Sequence, residues 1–317
     1  MTAGPARRLW RLAGAALLLA AVFWLAGPAE VARTLQAADP GWLAAGLGCA
    51  LAANAVSALR WQALCAWMGM VVARRWALVT YFRGVAVNVA LPGAVVGGDV
   101  LRATALQRLG HPGVAAAMSV LGDRISGLLM LIALGVVALL LGVGTPAWDQ
   151  LTGAWPGLQA LASRPLLAAL LAALLVLPWL VIALARGAGP LAGRLRGALA
   201  PLLRHPQPGR QYLGQVGLSL AVQALSVAAL GCAGMAVGAA PAPWALAAAA
   251  VPIFLTATLP VSFGGWGTRE AAAAICLVPL GVTPAQAVTM SVIYGLYPVV
   301  QAALALVSTG GAPRPPR

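Results

Sequence analysis

Apolar runs near 20 residues recur along this chain, separated by short stretches rich in arginine, glycine and proline. They lie at Leu9–Leu25, Trp42–Leu64, Trp76–Leu91, Val114–Val143, Leu166–Ala185, Leu213–Val237, Trp244–Leu259 and Ala285–Val307. A helix of about 20 apolar residues is long enough to span the hydrocarbon core of a bilayer. The pattern therefore predicts an all-α polytopic membrane protein forming a single integral domain over residues 1–317, with eight segments by hydropathy. The first segment opens among Arg7, Arg8 and Arg11. Its apolar run is long and no small-residue cleavage site follows, which predicts an uncleaved helix.

The placement of charge changes the number of complete crossings. If all eight segments crossed from a cytoplasmic N-terminus, the loop carrying Arg186, Arg194, Arg196, Arg204 and Arg210 would lie outside. That opposes the tendency of arginine-rich short loops to stay in the cytoplasm. If Trp76–Leu109 and Trp244–Leu280 each enter and return on one side, this loop, Arg74/Arg75 and the tail Arg314/Arg317 are all cytoplasmic. Only Arg33 and Arg164 then stay outside, near Glu30, Asp39 and Asp149. The predicted arrangement is six full crossings and two re-entrant helical hairpins, with both termini cytoplasmic. The polar stretch Arg186–Gln211 is too short for an independent soluble domain.

The two hairpin segments are also copies of one another. Trp76-Ala77-Leu78, Leu91-Pro92, Gly97-Gly98, Arg102, Leu109-Gly110, Pro112 and Met118-Ser119-Val120 recur in order. Their counterparts are Trp244-Ala245-Leu246, Leu259-Pro260, Gly264-Gly265, Arg269, Leu280-Gly281, Pro284 and Met290-Ser291-Val292. The repeat covers 76–120 and 244–292. Three crossings between the copies would give them opposite orientations, and paired Gly/Pro-interrupted segments in two halves mark the substrate site of transporter folds. Broken backbone at that depth survives when it is buried in protein or lines a wet cavity.

Composition narrows the function classes. Of 317 residues, 62% are hydrophobic and only 8% charged, and the mean hydropathy is +0.91. The net charge of +14 comes entirely from arginine, since the chain contains no lysine. Most arginines sit in loops between apolar runs, where they orient helices, so no nucleic-acid partner is expected. Cys49, Cys65, Cys232 and Cys276 fall in apolar stretches without paired spacing, and His111 and His205 stand beside prolines. No metal site or cofactor is expected from these. A G-x-x-x-x-G-K-[ST] phosphate loop is absent, so energy coupling would have to come from an ion gradient or a partner.

The motifs Asn88-x-x-Leu91-Pro92-Gly93-x-x-x-Gly97-Gly98-Asp99-x-x-Arg102, Asp123-Arg124 and Phe263-Gly264-Gly265-Trp266-Gly267-Thr268-Arg269-Glu270 together resemble a known family. It is the transmembrane region of lysylphosphatidylglycerol synthases, also described as flippase-like. Where many members carry Glu, this chain has Asp99 and Asp123. The resemblance implies a bacterial inner-membrane protein that handles lipids. Full synthases add a soluble domain that transfers lysine to phosphatidylglycerol. The chain ends at Arg317 without it, so lipid handling is expected here and lysylation is not.

Charges at membrane depth are the candidate chemistry. Asp99, Asp123 and Glu270 lie in or beside apolar segments next to arginines, where an ionisable group costs about 2.5–3.5 kcal/mol on the lenient insertion scale. Asp99 could cap the helix after Gly97-Gly98 and pair with Arg102, or contact substrate. Thr268 could cap the second short helix with Glu270 in its first turn. Asp123-Arg124 could pair with neighbouring helices. Helix N-termini at Gly97, Gly98, Gly264 and Gly265, with Arg102 and Arg269, would suit a lipid phosphate, which guanidinium binds bidentately. Asn88 could satisfy backbone freed at the break or touch substrate, Arg83 could line the cavity or reach the interface, and Tyr294 and Tyr297 are expected to pack. The tryptophans are expected mainly as interfacial anchors.

The sequence thus points to an integral membrane lipid-binding protein, a flippase or transporter of an anionic lipid or polyprenyl-phosphate-linked substrate. A membrane-embedded lipid-modifying transferase and a non-transporting accessory subunit are the alternatives. No enzymatic activity is expected, because no His, Cys, Ser or metal constellation is present. The oligomeric state is not legible.

Overall fold

A computed structural model describes residues 20–22, 24–90, 96–155, 163–187, 207–258 and 265–308, with a few isolated positions between 189 and 202. The described residues are helical, with turns and bends between helices and no strand. In chain order the helices are α1 (Pro28–Gln36), α2 (Pro40–Trp67), α3 (Arg74–Ala90), α4 (Gly97–Arg108), α5 (Gly113–Gly142), α6 (Pro146–Ala154), α7 (Arg164–Arg186), α8 (Pro208–Ala236), α9 (Pro243–Thr258), α10 (Thr268–Leu277) and α11 (Pro284–Ser308). A 3₁₀ turn, Val278–Leu280, follows α10. Among the described residues, five helices are long and apolar enough to cross a membrane: α2, α5, α7, α8 and α11. The first apolar run falls largely on residues outside this description, as does most of the arginine-rich stretch 186–211.

Proline and polar caps set where these helices begin. Pro28, Pro40, Pro146, Pro165, Pro208 and Pro243 stand in the first two positions of α1, α2, α6, α7, α8 and α9. A missing N–H costs nothing there and the fixed φ already suits a helix. Asp39 Oδ1 accepts from Trp42 N at 3.0 Å and Ser163 Oγ from Leu166 N at 3.4 Å, satisfying orphan donors of α2 and α7. Turns after the short helices use glycine: Gly110 and Gly281 occupy matching places in the two repeats with φ of 88° and 83°.

The most extensive packing is between α2 and α8. Small buried residues meet there, Gly46, Ala50, Ala53 and Ser57 on α2 with Ser219, Ala229, Ala233 and Gly234 on α8. Without a hydrophobic drive between helices in lipid, such residues let backbones approach and gain dispersion contact. The next most extensive contacts are exchanged between the repeats. α5 packs on α9, and α11 packs on α3, so each copy's long helix lies against the other copy's first short helix. Two main apolar clusters result. Trp61, Cys65, Ala77, Leu106, Ala116 and Val120 join α2 to α5 in the first half. Leu230, Ala250, Ile253, Ala273, Leu277 and Met290 join α8 to α11 in the second. α7 lies outside both, packed on α5 and little buried. The two arginines expected on the outer side are satisfied locally: Arg33 pairs with Glu30 at 2.8 Å, and Arg164 Nη2 donates to Val143 O at 3.3 Å.

Candidate functional site

Each short helix pair closes by a backbone approach that only glycine permits. Gly98 lies against Gly84 of α3, and a Cβ at Gly98 would overlap the Gly84 carbonyl and come within 2.9 Å of the Asn88 amide. Asn88 Oδ1 accepts from Gly98 N at 2.7 Å, so it caps α4 from the neighbouring helix. In the second pair, Gly265, with φ of 83°, brings the turn to within 3.0 Å of Ala257 on α9, measured from a built Cβ. Gly267 is the cap residue of α10. Glu270, at the third helical position, reaches back to accept from Gly267 N at 2.6 Å.

Two capping expectations are thereby corrected. Asp99 lies in the first turn of α4, past the cap, and both its oxygens are taken by arginines. Thr268 is the first residue of α10, and its hydroxyl donates back to Thr256 O and Gly265 O.

Five charged residues of the first half form one continuous ladder. Asp123 Oδ1 accepts from Arg60 Nε at 2.9 Å and pairs with Arg60 Nη2 at 2.8 Å. Asp123 Oδ2 accepts from Arg102 Nη1 at 2.8 Å. Arg102 Nη2 donates to Asp99 Oδ1 at 2.8 Å, and Arg124 Nε donates to Asp99 Oδ2 at 2.8 Å. Side-chain exposure rises along it, from 5% at Arg60, 2% at Asp123 and 5% at Arg102 to 21% at Asp99 and 38% at Arg124. The Arg102 guanidinium also faces the rings of Trp61 and Tyr81, with 5.2 and 4.8 Å to their centroids. Arg60 ties α2 to α8 through Ser219 Oγ at 3.2 Å, and Gln215 of α8 donates to its carbonyl at 3.1 Å.

The second half solves the same problem with fewer charges. Arg269 Nη2 donates to Glu270 Oε1 at 2.7 Å, Ser291 Oγ stands 3.1 Å from both groups, and the guanidinium lies 5.0 Å from the centroid of Trp266. Aligning Met118-Ser119-Val120 with Met290-Ser291-Val292 sets Asp123 opposite Gly295. A Cβ built at Gly295 would overlap the Arg269 guanidinium, so that arginine lies in the space the missing side chain leaves.

These groups share the wall of one cavity of about 720 Å³. Arg60, Asp99, Arg102, Asp123 and Arg124 line it from the first half, and Trp266, Arg269 and Tyr294 from the second. Asn88 and Gly98 line it too, Glu270 lies fully buried directly behind Arg269, and Gly97 and Gly265 are adjacent backbone. Gly264 lies outside the described residues. Arg83 is exposed and is not among the lining residues; Tyr297 packs in the second core and Tyr294 stacks on Phe254 at 5.0 Å. Pro298 also lines the cavity, and lacking an N–H it leaves the Tyr294 carbonyl without its intrahelical donor.

Sequence reasoning missed Arg60, Trp61, Tyr81 and Trp266. Arg60 had a signal: it is the sole charge between Asp39 and Arg74, in the middle of an apolar helix. Trp61 and Trp266 correct the reading of tryptophans as anchors, since each lies under a cavity arginine. Among the described residues, no group of three His, Cys, Asp or Glu side chains is placed to hold a metal ion.

A bundle of long apolar helices enclosing a charged cavity defines a multi-pass α-helical membrane protein. The family model for the lysylphosphatidylglycerol synthase transmembrane region matches residues 9–305, so the chain belongs to that family. A comparison with curated proteins finds no significant match.

Proposed function

We propose that this protein binds the anionic headgroup of a membrane lipid, or of a polyprenyl-phosphate-linked molecule, and carries it across the bacterial inner membrane. The observation that carries the reading is the cavity of about 720 Å³, whose arginines come from both halves of an otherwise apolar bundle. Four arginines (60, 102, 124 and 269) face three carboxylates (Asp99, Asp123 and Glu270), an excess of one positive charge. In a low-dielectric surrounding that excess favours an anion far more than it would in water. Arg102 and Arg269 frame the two sides, at matched positions four residues after Gly98 and Gly265.

The transport part rests on the exchanged packing of the repeats and on helix length. α3, α9, α4 and α10 have 17, 16, 12 and 10 residues, and a helix needs about 20 to span. They serve in this reading as two re-entrant hairpins of opposite orientation, inside six crossings supplied by the first apolar run and the five long helices. The packing of α5 on α9 and of α11 on α3 supports a pseudo-two-fold device in which each half rocks against the other. Both termini are cytoplasmic in this scheme.

Purified protein in liposomes carrying headgroup-labelled lipids tests the proposal, with leaflet-resolved quenching as readout. Anionic lipid is expected to equilibrate between leaflets faster than in protein-free liposomes, and faster than a zwitterionic lipid. Rates equal to those of protein-free liposomes for every lipid would remove transport.

A further inference from the structure

The ladder in the first half is not uniformly available to a ligand. Both oxygens of Asp123 are taken, and Arg102 already holds two carboxylates while its faces are covered by Trp61 and Tyr81. Neither Arg102 nor Arg60, each with a side chain 5% exposed, can take on a further anion without dismantling its pairs. Arg124 differs. Its side chain is 38% exposed, and its partner Asp99 is the more accessible of the two aspartates at 21%. Asp99 is also held from the other side by Arg102, so losing Arg124 would leave it paired.

Arg124 has particular neighbours as well. Leu121, Arg124, Ile125 and Leu128 recur at i, i+3, i+4 and i+7, the spacing of one helix face. All four line the cavity, and the three apolar members are 51%, 49% and 43% exposed. An arginine set in an exposed apolar stripe suits an amphiphile, with an anionic head on the guanidinium and a chain along the stripe.

We propose that Arg124 takes the anionic headgroup, and that Asp99 is a built-in competitor that holds Arg124 until a lipid phosphate displaces it. The proposal rests on the reading of the cavity as a lipid-headgroup site. Entry of the phosphate exchanges one carboxylate for another oxyanion on Arg124, and Asp99 turns fully to Arg102. Release is the reverse exchange, which keeps the headgroup from being trapped.

A competitor makes a prediction that a purely structural aspartate does not: removing it tightens binding. The experiment measures affinity of the detergent-solubilised protein for a short-chain phosphatidylglycerol, with short-chain phosphatidylcholine and inorganic phosphate as comparison probes. Asp99→Asn and Asp99→Ser both remove the competing charge, and whichever folds as a monodisperse protein is measured. Affinity for phosphatidylglycerol is expected to rise about three- to tenfold, the scale of a partly exposed ion pair relieved from competition. Arg124→Gln is expected to lower it by at least as much, with or without the Asp99 change. Unchanged or weaker binding in the Asp99 variants overturns the inference, even where liposomes show transport by the native protein. A gain in affinity supports it, even where liposomes show no transport. Inorganic phosphate competing as effectively as the lipid assigns the site to a free anion and overturns the lipid part.

Discussion

Asp123 is the point where the ladder is most sensitive to perturbation, because it joins two buried guanidinium groups with its own side chain only 2% exposed. Three arginines and two aspartates give the ladder a net charge of +1; Asp123→Asn raises it to +2, whereas Arg60→Gln lowers it to 0. The asparagine keeps the shape but offers one acceptor oxygen, and its amide hydrogens then point at the other arginine's donors. Arg102 keeps Asp99 at 2.8 Å, while Arg60 keeps only the Ser219 hydroxyl at 3.2 Å. Removing one partner of a buried ion pair typically costs about 3–5 kcal/mol, and Asp123→Asn should fall in that range. Arg60→Gln leaves Asp123 held by Arg102 and can still donate one hydrogen bond, so its cost should be nearer 1.5–3 kcal/mol, roughly that of one charge-assisted bond.

The double variant replaces the ion pair by two amides. Residues in one network couple by about 0.5–3 kcal/mol, so the double variant should be more stable than the sum of the two losses predicts. The assay is the midpoint of heat-induced loss of the monodisperse peak in detergent, with all variants at one heating rate so that the sizes of their shifts compare directly. Asp149→Ala, on the exposed face of α6, is the control and should move little. An Arg60→Gln midpoint below that of Asp123→Asn, or strict additivity of the two, would refute the ladder as the organising interaction.

Other predictions follow from neighbouring features. Gly295→Ala should displace the Arg269 guanidinium from Glu270, and overpacking typically costs about 1–3 kcal/mol; the same heating assay should show a clear loss, and an unchanged midpoint would mean that the guanidinium has room to move. Gly98→Ala should destabilise more than Gly84→Ala, because a Cβ at Gly98 overlaps the Gly84 carbonyl while one at Gly84 meets the Gly98 carbonyl at 3.3 Å; equal midpoints would contradict this. Substituted-cysteine labelling in a cysteine-free background should find positions 74 and 194 cytoplasmic and positions 149 and 241 outward, and labelling of 194 from outside would restore eight plain crossings.

The long helices were legible because hydrophobicity is local: α2, α5, α7, α8 and α11 begin and end within a few residues of the apolar runs that announced them. The chemistry-bearing residues were legible for a related reason, since Asp99, Asp123, Glu270, Arg102, Arg124 and Arg269 each interrupt or border apolar sequence. Their partners were not, because pairing depends on which helices pack. Arg60 stands 63 positions before the aspartate it holds. Nothing in the spacing indicates that α2, α4 and α5 converge there. The caps were misassigned for a finer reason. Whether a Thr or Asp caps a helix depends on where the first helical residue falls, and Gly267 with φ of 85° shifts that point by one.

The two copies resemble each other in sequence and differ in charge, and this difference bears on mechanism. Each has an arginine four residues after its second glycine and a serine in its Met-Ser-Val run. In the first copy the counter-charge for that arginine comes from the long helix, through Asp123, and from Asp99 one turn back, which also holds Arg124 and extends the ladder toward the cavity. In the second copy the position facing Arg269 is Gly295, and the counter-charge comes from the adjacent Glu270. On the cavity wall the first half therefore carries three arginines against two aspartates, and the second carries one arginine, backed by one glutamate, beside Trp266 and Tyr294. A duplicated scaffold with balanced halves would offer an anion two equivalent sites. This one places the excess positive charge, and the most exposed of the cavity's arginines, on one side only; in the proposed reading a headgroup then meets the first half, with an aromatic, electrically neutral wall opposite it.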